Sequence, residues 1–265
     1  MSPALGVKAT PQALSHGAAA TLASLPLSFT TTHSRAEVVL IDGAEGWPER
    51  VADAAREGAR VVVVLEPTAP GDHEPVAIPT ILDQPYAGNP ALPAIAENVA
   101  LADVAGLLEI RAIASVGSSR ETVLRSLLSL LRAAAGRQLE GGEAVVTASD
   151  GLIVRGSLGD GRPVLITSTV TDALPECATI RLVAARSTFE ATLPTANAAR
   201  PARVVRFDEN GARRWPELWE TSHRVAVRRA RDLLRGDTDD RGDDLAEFAA
   251  DAELAHRLLT TTQSD

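Results

Sequence analysis

The chain contains one cysteine, one lysine and few aromatic residues, and each shortage excludes a class of mechanism. Cys177 alone cannot form an intramolecular disulfide or a cysteine-rich zinc site, so the sequence predicts a protein of a reducing cytoplasm. Lys8 is the single lysine among 26 basic residues, which excludes a catalytic lysine in the interior of the chain. Aromatic residues make up 3% of a chain that is 45% apolar, so we expect a globular protein with an aliphatic core.

Long apolar runs and a positive net charge are also lacking. No run approaches the roughly 20 apolar residues of a membrane-spanning helix, and residues 1–10 do not show the pattern of a secretory signal. The formal net charge is −9, whereas a general nucleic-acid binder needs a basic face that neutralises phosphates. We therefore expect a cytoplasmic protein with neither a membrane nor a nucleic acid as partner.

The first part of the chain has the pattern of an α/β unit. Residues 37–42 and 60–65 each contain a continuous apolar run rich in β-branched residues, which is typical of parallel strands that are covered on both faces. A helical pattern at residues 47–58 separates the two runs. Before them, residues 11–24 predict a short helix and residues 27–32 a short strand.

The second part of the chain changes to short strands with turn signals. Candidate strands occupy residues 107–116 and much of 143–207, and Asp160-Gly161 between two of them is a hairpin signal. Residues 121–135 form the clearest helical pattern, and helices at 216–234 and 243–260 close the chain. We therefore predict an α/β unit in residues 1–85, followed by an α+β domain with a large, mostly antiparallel sheet in residues 86–265.

One turn has the outline of a dinucleotide site. Gly43 and Gly46 lie between a strand and a helix, and Glu66 ends the next strand about twenty residues later. The glycines would let a pyrophosphate approach the helix N-terminus, and the acid would hold a ribose. However, the fingerprint needs three glycines, and Trp47-Pro48 places bulk and a missing N–H where a phosphate needs donors. A tight turn in an α/β unit is the favoured interpretation.

Metal and hydrolase chemistry have weaker support. Asp72-His73-Glu74 concentrates ligand-type side chains, but this segment lies in a proline-rich stretch without a second histidine at metal spacing. The other histidines, His223 among them, are scattered, and no serine lies in a G-x-S-x-G motif. We therefore expect no bound metal.

Taken in order, the elements in residues 37–260 resemble the second half of a Gfo/Idh/MocA-type oxidoreductase. Residues 55–67, which end in Leu65-Glu66-Pro67, are similar to the family's strand with its Glu-Lys-Pro motif. Residues 76–92 are similar to the short strand and the loop that ends in an Asn-Pro pair. The resemblance implies a Rossmann-like nucleotide unit and a sheet domain that supports oligomers.

Several parts of the family pattern are replaced. Too few residues precede Glu37 for the family's first strand and glycine-rich turn, so we expect a truncated Rossmann-like unit. Glu66 stands at the position of the motif lysine, and Ala87-Gly88 stand where the resemblance expects an arginine before the Asn-Pro pair. Glu121 and Arg125 have the spacing of the Asp and His on the family's catalytic helix, where they can pair at i and i+4.

Three functions follow as alternatives. The favoured one is a degenerate oxidoreductase homologue that uses no cofactor and acts as a binding or partner subunit, in a homo-oligomer or with a related subunit. The second is a divergent NAD(P)-dependent oxidoreductase acting on a sugar-like or polyol substrate. There, Glu66, Glu121 and Arg125 are the candidate catalytic residues, with His73 as a further candidate for proton transfer, and Gly43 and Gly46 are the cofactor-binding ones. The third is an unrelated small-molecule binding or regulatory protein.

Overall fold

A computed structural model describes residues 3–32, 35–71, 78–102, 105–147, 151–198, 200–238, 242 and 244–261. The chain forms two compact units. The first unit comprises residues 1–88 and 221–249, and the second comprises residues 89–220 and 250–265. Residues 221–249 thus belong to the first unit. The predicted division into 1–85 and 86–265 placed them in the second.

The first unit is built on a parallel sheet of five strands in the described residues, in the order β2-β1-β3-β4-β5. All neighbouring strands are parallel. Every residue of β3 and β4 is buried, which explains their continuous apolar sequences. The strands are β1 (Leu5–Ala9), β2 (Phe29–Thr31), β3 (Val38–Asp42), β4 (Val61–Leu65) and β5 (Thr80–Asp83).

Strand β1 shows that the expected absence of the family's first strand is wrong. β1 lies inside the sheet, with β2 on one side and β3 on the other. Its sequence carries Gly6 and Lys8, and only Val7 is fully buried, so this short segment lacks the apolar run that identified β3 and β4. The six-stranded dinucleotide fold has the order 3-2-1-4-5-6. The described sheet has a counterpart of strand 1, which is β1, but none of strand 3, which would lie beyond β2.

Helices cover both faces of the parallel sheet. Phe248 packs with α3 against one face, and α6 packs with the helical segment after β1 against the other. The helices of the chain are α1 (Pro11–Ala13), a π-helical turn (Leu14–Ala18), α2 (Ala19–Ala23), α3 (Trp47–Arg56), α4 (Leu92–Ala100), α5 (Arg120–Ala135), α6 (Ser222–Arg235) and α7 (Leu245–Thr261). None of those in the described residues is long and apolar enough to cross a membrane.

The second unit contains a sheet of eight strands in the order β13-β12-β11-β10-β6-β9-β8-β7. Only β6 and β9 pair in parallel among its described strands, so the prediction of a mostly antiparallel sheet is confirmed. The strands are β6 (Leu107–Ala114), β7 (Leu139–Val146), β8 (Leu152–Leu158), β9 (Pro163–Val170), β10 (Cys177–Val183), β11 (Ser187–Pro194), β12 (Arg203–Asp208) and β13 (Gly211–Arg214). Asp160-Gly161 joins β8 to β9, and Gly161 has φ 86° there.

Candidate functional site

The candidate site lies at the carboxyl edge of the parallel sheet. In open α/β sheets, ligands bind beyond this edge at the point where the strand order reverses. β2 and β3 lie on opposite sides of β1, so the reversal falls between β1 and β3. Thr10 follows β1, Asp42 ends β3, Glu66 follows β4 and Asp83 ends β5. One hydroxyl and three carboxylates therefore come to this edge.

The turn after β1 is closed by the protein's own groups. Thr10 and Pro11 stand where a dinucleotide-binding turn has glycines. The Oγ1 atom of Thr10 accepts a hydrogen bond of 3.2 Å from the backbone N–H of Ala13, and Thr10 thereby caps α1. The same hydroxyl donates to Oδ2 of Asp42 over 3.4 Å. Pro11 has no N–H, so the start of α1 offers a ligand few free donors.

Asp42 holds the next turn together. Its side chain is buried, and its Oδ1 atom accepts hydrogen bonds from the backbone N–H of Ala44 at 3.3 Å and from Arg50 at 3.2 Å. Arg50 also donates to the backbone carbonyls of Asp42, Ala44 and Glu45. Arg50 therefore stabilises the β3–α3 turn by these hydrogen bonds and partly neutralises the Asp42 carboxylate.

The structure gives Gly43 and Gly46 backbone roles in this turn. A Cβ atom on Gly43 would lie 2.2 Å from Cα of Pro67 and 2.6 Å from the carbonyl carbon of Glu66. Gly46 is the N-cap of α3 and has φ 76°, in the left-handed region that favours glycine. Close approach of two chain segments and a left-handed turn thus account for the two glycines without a phosphate.

We expect Gly43→Ala to lower the free energy of unfolding by about 2–3 kcal/mol, because the new methyl group meets backbone atoms that have to move. Urea denaturation followed by circular dichroism measures the change in the absence of any ligand. Gly6→Ala in β1 is the control, since its Cβ would have ordinary contacts of 3.5 Å or more. Wild-type stability of the Gly43 variant would contradict the structural role.

Glu66, Asp83 and His223 form an ionisable cluster at the edge next to β4 and β5. His223 is 2% exposed in the first turn of α6, and its Nδ1 atom hydrogen-bonds to Oδ2 of Asp83. The Nε2 atom of His223 is 4.0 Å from Oε1 of Glu66, whose side chain is 37% exposed. Glu66 has φ 49°, a sparsely populated backbone conformation for a residue other than glycine.

Charges around His223 outweigh its burial. Burial lowers the pKa of His223, but the hydrogen bond and charge of Asp83, the charge of Glu66 and the backbone of His16 raise it above its ordinary value. The protonated imidazolium is therefore favoured between the two carboxylates. An imidazolium held in this way can orient Glu66 and exchange a proton with it.

The packing around this cluster explains a departure from the family loop. Gly88 stands where the resemblance expects an arginine, and a Cβ atom on it would lie 2.9 Å from the backbone oxygen of Gln84 and 3.3 Å from Cβ of Ser222. Asp83 Oδ1 is 3.7 Å from the same position. Gly88 therefore lets the start of α6 approach Asp83.

The other two candidate catalytic residues lie in the second unit. Glu121 is in the first turn of α5, and Arg125 follows one turn later with 3% exposure. Burial lowers the pKa of Arg125 to about 10, while the charges of Glu121 and Asp251 act to raise it. The charge of Glu121 acts on Arg125 one turn along the same helix, whereas Glu66 belongs to the first unit.

Asp83 and His223 were missed by sequence reasoning. Asp83 ends a strand of only four residues in a proline-rich stretch, and His223 follows the Thr221 cap at the start of α6. An acid at a strand end and a histidine at a helix start are the available signals, but 140 positions separate the two residues.

The segment with ligand-type side chains, Asp72-His73-Glu74, lies outside the described residues. Within the described part, no three His, Cys, Asp or Glu side chains are placed to hold a metal.

The two units together define a class of protein: a Rossmann-like parallel unit followed by an α+β domain with a large sheet. No protein-family model matches the sequence, and no curated protein matches it. Solved structures do match over nearly the whole chain. UDP-N-acetylglucosamine 3-dehydrogenase GnnA from Acidithiobacillus ferrooxidans aligns with a TM-score of 0.73 and 12% identity, covering 98% of this chain and 98% of that one.

Two further structures have the same architecture. An oxidoreductase from Sinorhizobium meliloti aligns with a TM-score of 0.74 and 10% identity over 99% of this chain and 98% of that one. A super-repressor mutant of Gal80p from Saccharomyces cerevisiae aligns with a TM-score of 0.70 and 9% identity over 98% and 96%. These identities establish likeness of fold. The fold is that of Gfo/Idh/MocA-type oxidoreductases, and the resemblance is confirmed at this level.

Proposed function

We propose that this chain is a binding or partner subunit with an oxidoreductase fold and that it uses no nicotinamide cofactor. The observation that carries the proposal is the closed turn after β1. A dinucleotide pyrophosphate needs glycines and free backbone N–H groups at a helix N-terminus. Here Thr10 caps that helix, Pro11 lacks an N–H, and the carboxylate of Asp42 lies 3.4 Å from the Thr10 hydroxyl. These residues do not fit a pyrophosphate.

The charge at the carboxyl edge supports the same proposal. Asp42, Glu66 and Asp83 bring three carboxylates to this edge against the two cations Arg50 and His223, and a pyrophosphate is itself an anion. The Arg50 guanidinium is already engaged by Asp42 and backbone carbonyls. The strand that would carry the ribose-binding acid of a dinucleotide fold, β2, ends in Thr31.

Calorimetric titration with NAD⁺, NADH, NADP⁺ and NADPH tests the proposal. We expect no saturable binding up to millimolar concentration, where a dissociation constant of 1 mM corresponds to about −4 kcal/mol. A nicotinamide-dependent dehydrogenase, titrated in the same buffer, checks that the assay detects a cofactor. Micromolar binding of any of the four nucleotides would overturn the proposal.

A second candidate is a divergent NAD(P)-dependent oxidoreductase on a sugar-like substrate. The cluster of Glu66, His223 and Asp83 favours it, because a half-exposed carboxylate beside an imidazolium is suited to general acid–base catalysis. The name of GnnA as a dehydrogenase of UDP-N-acetylglucosamine points to this substrate class. The same titration separates the two candidates, since hydride transfer requires a bound nicotinamide.

The partner role is assigned to the large sheet. Val145 and Ile153, which are cross-strand partners on β7 and β8, are 51% and 42% exposed, and contiguous exposed apolar side chains mark surfaces that associate. We propose that the chain forms a homo-oligomer or pairs with a related subunit through this sheet. Light scattering during size-exclusion chromatography of the titrated sample reports self-association. A monomeric mass would contradict the homo-oligomer and leave only pairing with a related subunit.

A further inference from the structure

A separate cavity lies in the second unit, at the ends of β10 and β11. Its volume is about 360 Å³, within the range of roughly 300–1,000 Å³ that is usual for small-molecule sites. Cys177 and Pro194 form one wall, and the segment before β12, with Arg200 and Pro201, forms another. Trp219 also lines the cavity, together with Glu176, Thr192 and Arg203. The cavity shares no residue with the carboxyl edge of the parallel sheet.

Trp219 gives this cavity an aromatic surface. Its side chain is 64% exposed, which is unusual for a residue that normally buries a large apolar area. Its backbone is held by an antiparallel bridge next to it, where Ala202 donates to Leu218 at 2.8 Å and Leu218 donates to Ala202 at 3.2 Å. The indole is thus presented from a fixed segment and can stack on a flat ring with little loss of conformational entropy.

Arg200 gives the cavity an uncompensated positive charge. Its guanidinium makes no ion pair or hydrogen bond within the described part of the chain, whereas Arg203 nearby donates from Nε to Glu217 at 3.0 Å. The acid of the lining, Glu176, is directed to a backbone N–H, that of Ser115, at 3.0 Å. A free guanidinium is the side chain best suited to a phosphate or carboxylate.

The remaining wall is apolar. Pro194 and Pro201 are rigid, and Cys177 pairs with Pro194 where β10 and β11 meet. Burial raises the pKa of the Cys177 thiol, while the charges of Arg200 and Arg111 act to lower it. The thiol is therefore neutral near pH 7, and the charge of Arg200 is left for a ligand.

We propose that this cavity binds a small anion that carries a flat ring, with the ring against Trp219 and the phosphate or carboxylate group on Arg200. The inference is independent of the proposed loss of nicotinamide binding, because all lining residues belong to the second unit and the β1–α1 turn belongs to the first. Ligand binding in this cavity therefore supports the inference whether or not a nucleotide binds at the β1–α1 turn.

Titration of the full chain with phenyl phosphate tests the proposal by calorimetry and by tryptophan fluorescence. We expect saturable binding with a submillimolar dissociation constant, and at least tenfold weaker binding of phenol and of inorganic phosphate, which each supply one half of the recognition. Arg200→Gln should weaken phenyl phosphate at least tenfold. Trp219→Ala should weaken it similarly, and Trp219→Phe should retain most of the affinity because a ring remains.

Matched controls lie on the same unit. Arg186→Gln removes an arginine that pairs with Glu209 outside the cavity, and Trp215→Phe removes a tryptophan that stacks with Arg213. Both variants should bind phenyl phosphate as the wild type does, and thermal unfolding checks that every variant is folded. Absence of saturable binding, equal affinity of inorganic phosphate, or full affinity of the Arg200 variant would each overturn the proposal.

Discussion

Replacement of Asp251 by alanine is expected to lower the free energy of unfolding by about 3–5 kcal/mol, the cost of breaking a buried ion pair from one side. Asp251 is 1% exposed, and its Oδ2 atom accepts hydrogen bonds from Ser129 at 2.7 Å and from Arg132 at 2.9 Å and 3.1 Å. The variant leaves the Arg132 guanidinium without this carboxylate, although its side chain is only 15% exposed. Arg125 loses a favourable charge as well.

Urea denaturation measures this loss, and Glu253→Ala on the same helix is the matched control. Glu253 is 71% exposed and pairs with Arg257 over 3.4 Å, so its removal should change stability by no more than about 0.5 kcal/mol. If Asp251→Ala unfolds at the same urea concentration as Glu253→Ala, then the buried network does not stabilise the second unit.

Replacement of Asp83 by asparagine is the second change with a large expected effect. Asp83 has no exposed side-chain surface, and its partner His223 is 2% exposed. Without the carboxylate, the imidazolium has no buried counter-ion, and we expect a loss of about 3–5 kcal/mol below pH 6.5. Urea denaturation at several pH values measures the effect, and Asp53→Asn, at an exposed position on α3, is the control.

The loss should depend on pH in one direction. The pKa of His223 is raised in the folded state, so the stabilisation that protonation supplies is complete below the unfolded pKa of about 6.5 and is lost as the pH rises through the folded pKa. The difference between wild type and Asp83→Asn should therefore narrow at high pH. A difference that stays constant or widens with pH would contradict the raised pKa of His223.

The regular elements were largely predictable where one local pattern specified them. β3 and β4 are buried throughout, and parallel strands covered on both faces read as continuous apolar runs. α5 is delimited by the Ser119 cap and by Gly136 in the left-handed conformation. β1 was missed because five residues with only one fully buried side chain give no such pattern.

The candidate site was predictable only in part. Glu66 was identified because it ends a strand and precedes a proline, but its neighbours Asp83 and His223 come from β5 and α6. Gly43 and Gly46 were correctly placed in a turn before a helix. The reason for Gly43, the approach of Pro67, depends on a contact between segments more than twenty positions apart.

The sequence by itself determined the class of fold, the aliphatic core and the departure of Glu66 from the motif lysine, because composition, periodicity and residue identity are local properties. Only the tertiary structure decided that β1 lies inside the parallel sheet and that α6 returns to the first unit. Strand order and the pairing of His223 with Asp83 depend on which distant segments are buried together, and burial is a property of the whole chain.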